Sequence, residues 1–179
     1  MFFTAAQMGT TVLSAPGGNR RATGWITMKI LDALTPDTIV VDLQSSDKKG
    51  ILEELVAPVA AVAGIEAPSL VKVLMEREQL GSTGIGGGIG IPHGKLKDLE
   101  ELILGFGLSR QGVDFESMDG RPTHIFFLLI TPENSTGLHL KLLARISRLL
   151  KNEPFKEKLM QARSVEDVIA VIEPVDDPF

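Results

Sequence analysis

The sequence contains no cysteine, which excludes disulfides and thiolate-held metals and suits a reducing compartment. It also lacks an apolar run long enough to cross a bilayer; the strongest, IFFLLI at 125–130, has the length of a strand. The first fifteen residues carry no basic n-region, and Arg20 and Arg21 are not followed by an apolar stretch, so no Sec or twin-arginine leader is read. Basic residues are not in excess: 18 Lys and Arg stand against 23 Asp and Glu, for a net charge of −5. No basic stripe marks a nucleic-acid binder. The expected location is the cytoplasm, with no membrane insertion and no nucleic-acid partner.

What remains is 179 residues, 44% of them hydrophobic, enough for one globular domain with a sizeable core. Residues 1–27 mix Gly, Thr, Ser and Ala without sustained period. They are read as a flexible N-terminal tail, or as lying upstream of a natural start at Met28; an extra helix packed on the domain is the alternative. The domain itself is placed at 28–179.

Within it, TIVVDL (38–43) reads as a strand. Ser45, Ser46 and Asp47 are cap types opening a helix that Gly64 ends, and Pro68 and Ser69 open another that finishes before Gly81. A short strand through Ile91 follows the glycine-rich stretch. Two further strands are expected at 102–108 and 125–130, the second apolar on both faces and therefore central. Ser135 or Thr136 caps a helix with Leu142, Leu143, Ile146, Leu149 and Leu150 on one stripe. A short helix covers 155–162, and Ser164 with Asp167 makes a capping box for the last one. The expected fold class is α/β: one domain, a mixed sheet flanked by helices.

The chemistry concentrates in GSTGIGGGIGIPHGK (81–95). A run so rich in glycine can bring backbone N–H groups close to an anion. It is not a nucleotide loop. The Walker pattern fails at Ile89 and Leu96, and every candidate GxG lacks the third glycine of the dinucleotide pattern. His93 is held between Pro92 and Gly94, presented at the end of a strand, with Gly94 letting the chain turn. A neutral imidazole is a good nucleophile toward phosphorus, because one ring nitrogen keeps a free lone pair; an inert loop histidine is the alternative. His139 lies in the first turn of a helix, in line with the inward stripe, where unsatisfied N–H groups attract anions and disfavour its cation. Arg77, sixteen residues before His93, could fork onto phosphate oxygens. His124 opens the central strand and reads as structural. No HxxxH spacing suggests a metal, and no GxSxG suggests a serine hydrolase.

Three stretches in this order, REQLGSTGIGGGIGIPHGK (77–95), VDFESMDGRPTHIFFLLITPE (113–133) and HLKLLARISRLL (139–150), resemble the fructose–mannitol (type-2) class of phosphotransferase-system enzyme IIA, and in particular its nitrogen-regulatory members. The resemblance runs from about Met28 to Val175 and implies a mannitol-type enzyme IIA fold. It implies that His93 carries a phosphoryl group on Nε2 as tele-phosphohistidine, with His139 supporting. It also implies that Arg77, with Ser82 and Thr83 of the LGSTG stretch, helps hold that group, and that no cofactor is needed. The donor would be an HPr-like phosphocarrier protein. The recipient would be a regulatory target or, if the role is sugar uptake, the IIB component of a separate permease. With no permease domain following, the regulatory role is favoured; a pure binding module on the same fold is the further alternative. The family pattern GIGNGIAIPH has asparagine at Gly87 and alanine at Gly90. Loss of that amide is expected to loosen the loop or alter how the phosphoryl group is held.

Overall fold

The computed structural model describes residues 28–179; the expectation for 1–27 lies outside the described residues. The elements run α1 (Ile30–Ala33), β1 (Leu34–Val40), α2 (Lys48–Ala63), α3 (Ala67–Gln79), β2 (Gly84–Gly86), β3 (Ile89–Gly90), β4 (His93–Leu96), β5 (Ile103–Val113), β6 (Thr123–Pro132), α4 (Thr136–Leu150), α5 (Glu153–Gln161) and α6 (Val165–Ile172), closed by a short 3-10 turn (Glu173–Val175). The expected mixed sheet with flanking helices is what forms. Its strands lie in the order β1-β5-β6-β3-β2, with β4 also paired to β6. Among the described residues no helix is long and apolar enough to cross a membrane.

β6 is central because it is apolar on both faces. Its residues Ile125, Phe127 and Leu129 join the core beneath α1, α4, α5 and α6. Phe126, Leu128 and Ile130 join the core beneath α2 and α3. Strand alternation sends successive side chains to opposite layers, and each buried Leu, Ile or Phe contributes roughly 1.5–3 kcal/mol. Antiparallel β5 runs on one side of β6, while parallel β3 and then β4 share the other.

Several expected boundaries move; the strand expected over 102–108, for example, runs on to Val113. The first strand occupies 34–40 rather than 38–43, because it follows β5 from Leu34↔Leu104 through an irregularity to Ile39↔Phe106 and Val40↔Gly107. The strand expected to end at Ile91 stops at Gly90. Pro92 has no N–H for the ladder, although its carbonyl still accepts from Leu129 N–H at 3.0 Å. His93 therefore opens a new strand rather than closing an old one. At the far end of the described chain, Met28 and Phe179 exchange two backbone hydrogen bonds, 3.3 and 3.0 Å. The buried Asp176 carboxylate accepts from Ile30 N–H at 2.7 Å and Leu31 N–H at 2.9 Å.

Candidate functional site

His93 is registered against Leu129 of β6, and Gly94 follows it inside β4. Gly94 is thus not a turn residue. A Cβ there would lie 3.1 Å from Val73 Cγ1, so the bare glycine lets α3 cross close over the strand. Arg77, one helical turn beyond Val73, consequently reaches the imidazole: its Nε donates to His93 Nε2 at 3.3 Å. Its Nη1 donates to the Gly81 carbonyl at 2.9 Å. From the other layer, α4 brings His139, buried and hydrogen-bonded through Nδ1 to the Thr131 hydroxyl of β6 at 2.9 Å. The rings of His93 and His139 meet edge to face, with centroids 5.3 Å apart. The three principal residues expected from the sequence are therefore brought together.

The hydrogen bonding assigns the ring proton of His93. Its Nδ1 is 2.8 Å from the Ile91 carbonyl oxygen, which can only accept, so Nδ1 carries the hydrogen and Nε2 the lone pair. Burial lowers the pKa of His93 below the usual histidine value, and the Arg77 charge adds to that; the Ile91 hydrogen bond and Glu78 oppose it. Burial likewise lowers the pKa of His139, to about 4, helped by the charges of His93, Lys95 and Arg77. Both rings are neutral at pH 7.

Around them lies a cleft of about 340 Å³ lined by Val73, Arg77, His93, Lys95, Thr136 and His139, among others, and none of the lining residues is acidic. Lys95 Nζ donates to Thr136 Oγ1 at 2.8 Å, at the first residue of α4. Ser135 precedes that helix but makes no side-chain cap, its hydroxyl donating instead to the Pro132 carbonyl at 2.7 Å. A cationic pocket beside a helix start, with an Nε2 lone pair engaged only by the 3.3 Å contact from Arg77, suits a small anion attached to that nitrogen.

Ser82 and Thr83 do not line this cleft. The Ser82 hydroxyl donates to the Phe115 carbonyl at 2.8 Å, and the Thr83 hydroxyl donates to the buried Glu78 carboxylate. The glycine-rich amides are also committed: Gly86 N–H donates to Ser117 Oγ at 3.1 Å, and Gly87 N–H to Asp119 at 2.9 Å. Gly87 has φ +65°, a conformation asparagine tolerates, and a Cβ there would lie 3.4 Å from Lys156 Nζ. It lines a separate apolar recess with His124 and Met160, so an amide at 87 would face Lys156 rather than His93. At Gly90 a Cβ would meet the Phe126 ring at 3.0 Å. His124 donates from Nδ1 to the Ser109 carbonyl at 2.9 Å and takes no part in the cleft, as its structural reading expects.

Lys95, Thr131 and Glu78 are neighbours that sequence reasoning left without a role. The signal for Lys95 was present, since a residue two beyond His93 in a strand shares its face. Thr131 is a wholly buried polar residue following the apolar run of β6.

The sequence matches the family described as "Phosphoenolpyruvate-dependent sugar phosphotransferase system, EIIA 2" over residues 32–174. It is 41% identical over 145 residues to the nitrogen regulatory protein of Bradyrhizobium diazoefficiens, covering 81% of this chain and 95% of that protein. It is 34% identical over 148 residues to the fructose-specific EIIA component of Haloferax volcanii, covering 79% and 96%. The crystal structure of nitrogen regulatory protein IIA-Ntr from Neisseria meningitidis is similar with a TM-score of 0.75 at 33% identity, covering 79% of this chain and 97% of that one.

Proposed function

This chain belongs to the type-2 enzyme IIA family of the phosphoenolpyruvate-dependent sugar phosphotransferase system, and on that basis we propose that His93 accepts a phosphoryl group on Nε2 from a phosphohistidine of an HPr-like carrier. We further infer that the protein acts in the cytoplasm as a regulator of the nitrogen type, its state read by a partner protein. The observation that carries this reading is the Nδ1–H bond to Ile91, which leaves the Nε2 lone pair facing a cleft with Arg77 and Lys95.

In the transfer, the Nε2 lone pair attacks phosphorus while the donor's P–N bond breaks in line, its electron pair returning to the donor imidazole. The proton stays on Nδ1, donated to the Ile91 carbonyl, throughout. One P–N bond replaces another of the same kind, so the exchange is nearly balanced and calls for no nucleotide. Phosphoryl transfer needs positioning and stabilisation of charge on the equatorial oxygens. Arg77 holds Nε2 in the resting site; moving its Nε–H onto a phosphoryl oxygen frees the nucleophile, while its Nη1 keeps its hold on Gly81. Neutral His139 orients or hydrogen-bonds the arriving group.

The test is incubation with phosphoenolpyruvate, enzyme I and an HPr-like carrier. The wild type should gain acid-labile phosphate, and a folded His93→Ala variant should gain none. Arg77→Ala and His139→Ala should still label but more slowly, by on the order of a hundredfold for a lost charge-assisted contact. Labelling of His93→Ala equal to wild type would falsify the assignment, and an unlabelled wild type would leave a binding module. The fructose-specific relative favours a second reading, sugar uptake. That reading requires the labelled protein to pass its phosphate to the IIB component of a separate permease.

A further inference from the structure

We propose that Glu78 and Thr83 form a positioning pair that selects which ring nitrogen of His93 is the nucleophile. This rests on the phosphoryl-carrier reading for its chemical purpose, but its physical content does not.

Glu78 is an acidic side chain only 7% exposed, at the end of α3. A buried carboxylate persists only where it is paired and hydrogen-bonded. Its partners are Lys48 Nζ at 3.1 Å, the Thr83 N–H at 3.2 Å to each oxygen, and the Thr83 hydroxyl. Lys48 is fixed in turn by Glu116 at 2.5 Å and lies 5.0 Å from the centre of the Phe115 ring.

From Thr83 the bonding runs through Ile91 to the imidazole. The Thr83 carbonyl accepts Ile91 N–H at 3.0 Å, and the Ile91 carbonyl accepts His93 Nδ1–H at 2.8 Å. The same turn supplies Gly81, whose carbonyl holds Arg77. One buried charge therefore anchors the segment that keeps the proton on Nδ1 and the segment that keeps Arg77 over Nε2. An unrestrained imidazole exchanges its proton between the two nitrogens, and every molecule with the proton on Nε2 lacks a lone pair there.

Ring nitrogen shifts of His93, measured by NMR on the unphosphorylated full-length protein above the histidine titration, test this. Wild type should show a protonated Nδ1 and an unprotonated Nε2. Thr83→Val and Glu78→Gln should show averaged shifts, with the Nε2–H form raised several-fold and phosphoryl uptake lowered about tenfold. Thr83→Ser, which restores the hydroxyl, should return both to wild type. Unchanged ring shifts in Thr83→Val overturn the proposal whatever happens to uptake, as does an already mixed wild-type ring. Should Glu78→Gln fail to fold, Thr83→Val, which exchanges the hydroxyl for a methyl and keeps the backbone bonds of Thr83, decides the matter. If the shifts behave as stated but wild type takes up no phosphate, the carrier reading fails and the positioning role stands.

Discussion

The imidazoles of His93 and His139 stand with their planes at 64° and their centroids 5.3 Å apart, close enough that a positive charge on one disfavours a charge on the other. Only one of them needs to be neutral for transfer. Because burial and Arg77 hold the His93 pKa below the usual histidine value of 6.5, uptake should be level through neutral pH. It should fall only as pH drops below that value and the Nε2 lone pair is protonated. Initial rates between pH 8 and 5 would check this, and an acid limb above 6.5 would contradict it.

His139 links the site to stability. In the fold its pKa is lowered to about 4, whereas unfolded it titrates near the ordinary 6.5. Between those values the unfolded chain binds more protons, so stability rises with pH across the window and is lost on acidification. His139→Gln removes that titration while keeping a group able to bond Thr131. Its melting temperature should fall less than wild type between pH 6.5 and 4, by roughly 5–10 °C, because a shift of this size is worth about 2.5 kcal/mol across the window. Parallel melting curves would show the ring to be uninvolved.

Gly94 holds the helix above it at the distance the chemistry needs. A methyl at this position would press on Val73 Cγ1 at 3.1 Å, and Leu74 stands behind at 3.5 Å. Gly94→Ala should therefore lift α3, lengthen the 3.3 Å contact from Arg77 to Nε2, and cost about 1–3 kcal/mol of stability. Phosphoryl uptake should drop about tenfold, and adding Val73→Ala should recover much of it. Full activity in the single variant would show that α3 yields without moving Arg77.

Gly90 is different, since its crowding lies in the core rather than at the cleft. Phe126 is fully buried and stacks edge to face on Phe115 at 5.1 Å, leaving its ring little room to retreat from a Cβ at 3.0 Å. Gly90→Ala should destabilise this chain by about 1 kcal/mol or more. Combined with Phe126→Leu it should be better tolerated than the sum of the two changes. Denaturant titrations of the four proteins would reveal additivity, which would refute the clash.

Much of this could be read in the chain because local chemistry fixed it. Ser164 and Asp167 cap each other as their spacing foretells, and Gly64 ends α2 with φ +66°. The two-sided apolar run of β6 announced a central strand, and the inward stripe of α4 put His139 inside. What could not be read was set by partners distant in sequence. The glycine-rich amides looked free for an anion until Ser117 and Asp119, some thirty residues on, took them. Gly94 looked like a turn because nothing nearby in sequence reveals the helix crossing it. Thr83 looked like a phosphate ligand, yet its hydroxyl is bonded to a carboxylate five residues back.

β6 feeds alternate side chains to two helical layers, and the site draws on both: Arg77 comes from α3 on one face of the sheet and His139 from α4 on the other. A chain that has docked only one layer would hold His93 with half its neighbours. During refolding, competence to take up phosphate should therefore lag behind the slower of the two layers rather than follow the first appearance of helix. The initial rate of label uptake would then distinguish molecules completed on both sides from half-assembled ones, which would label slowly for want of Arg77 or His139.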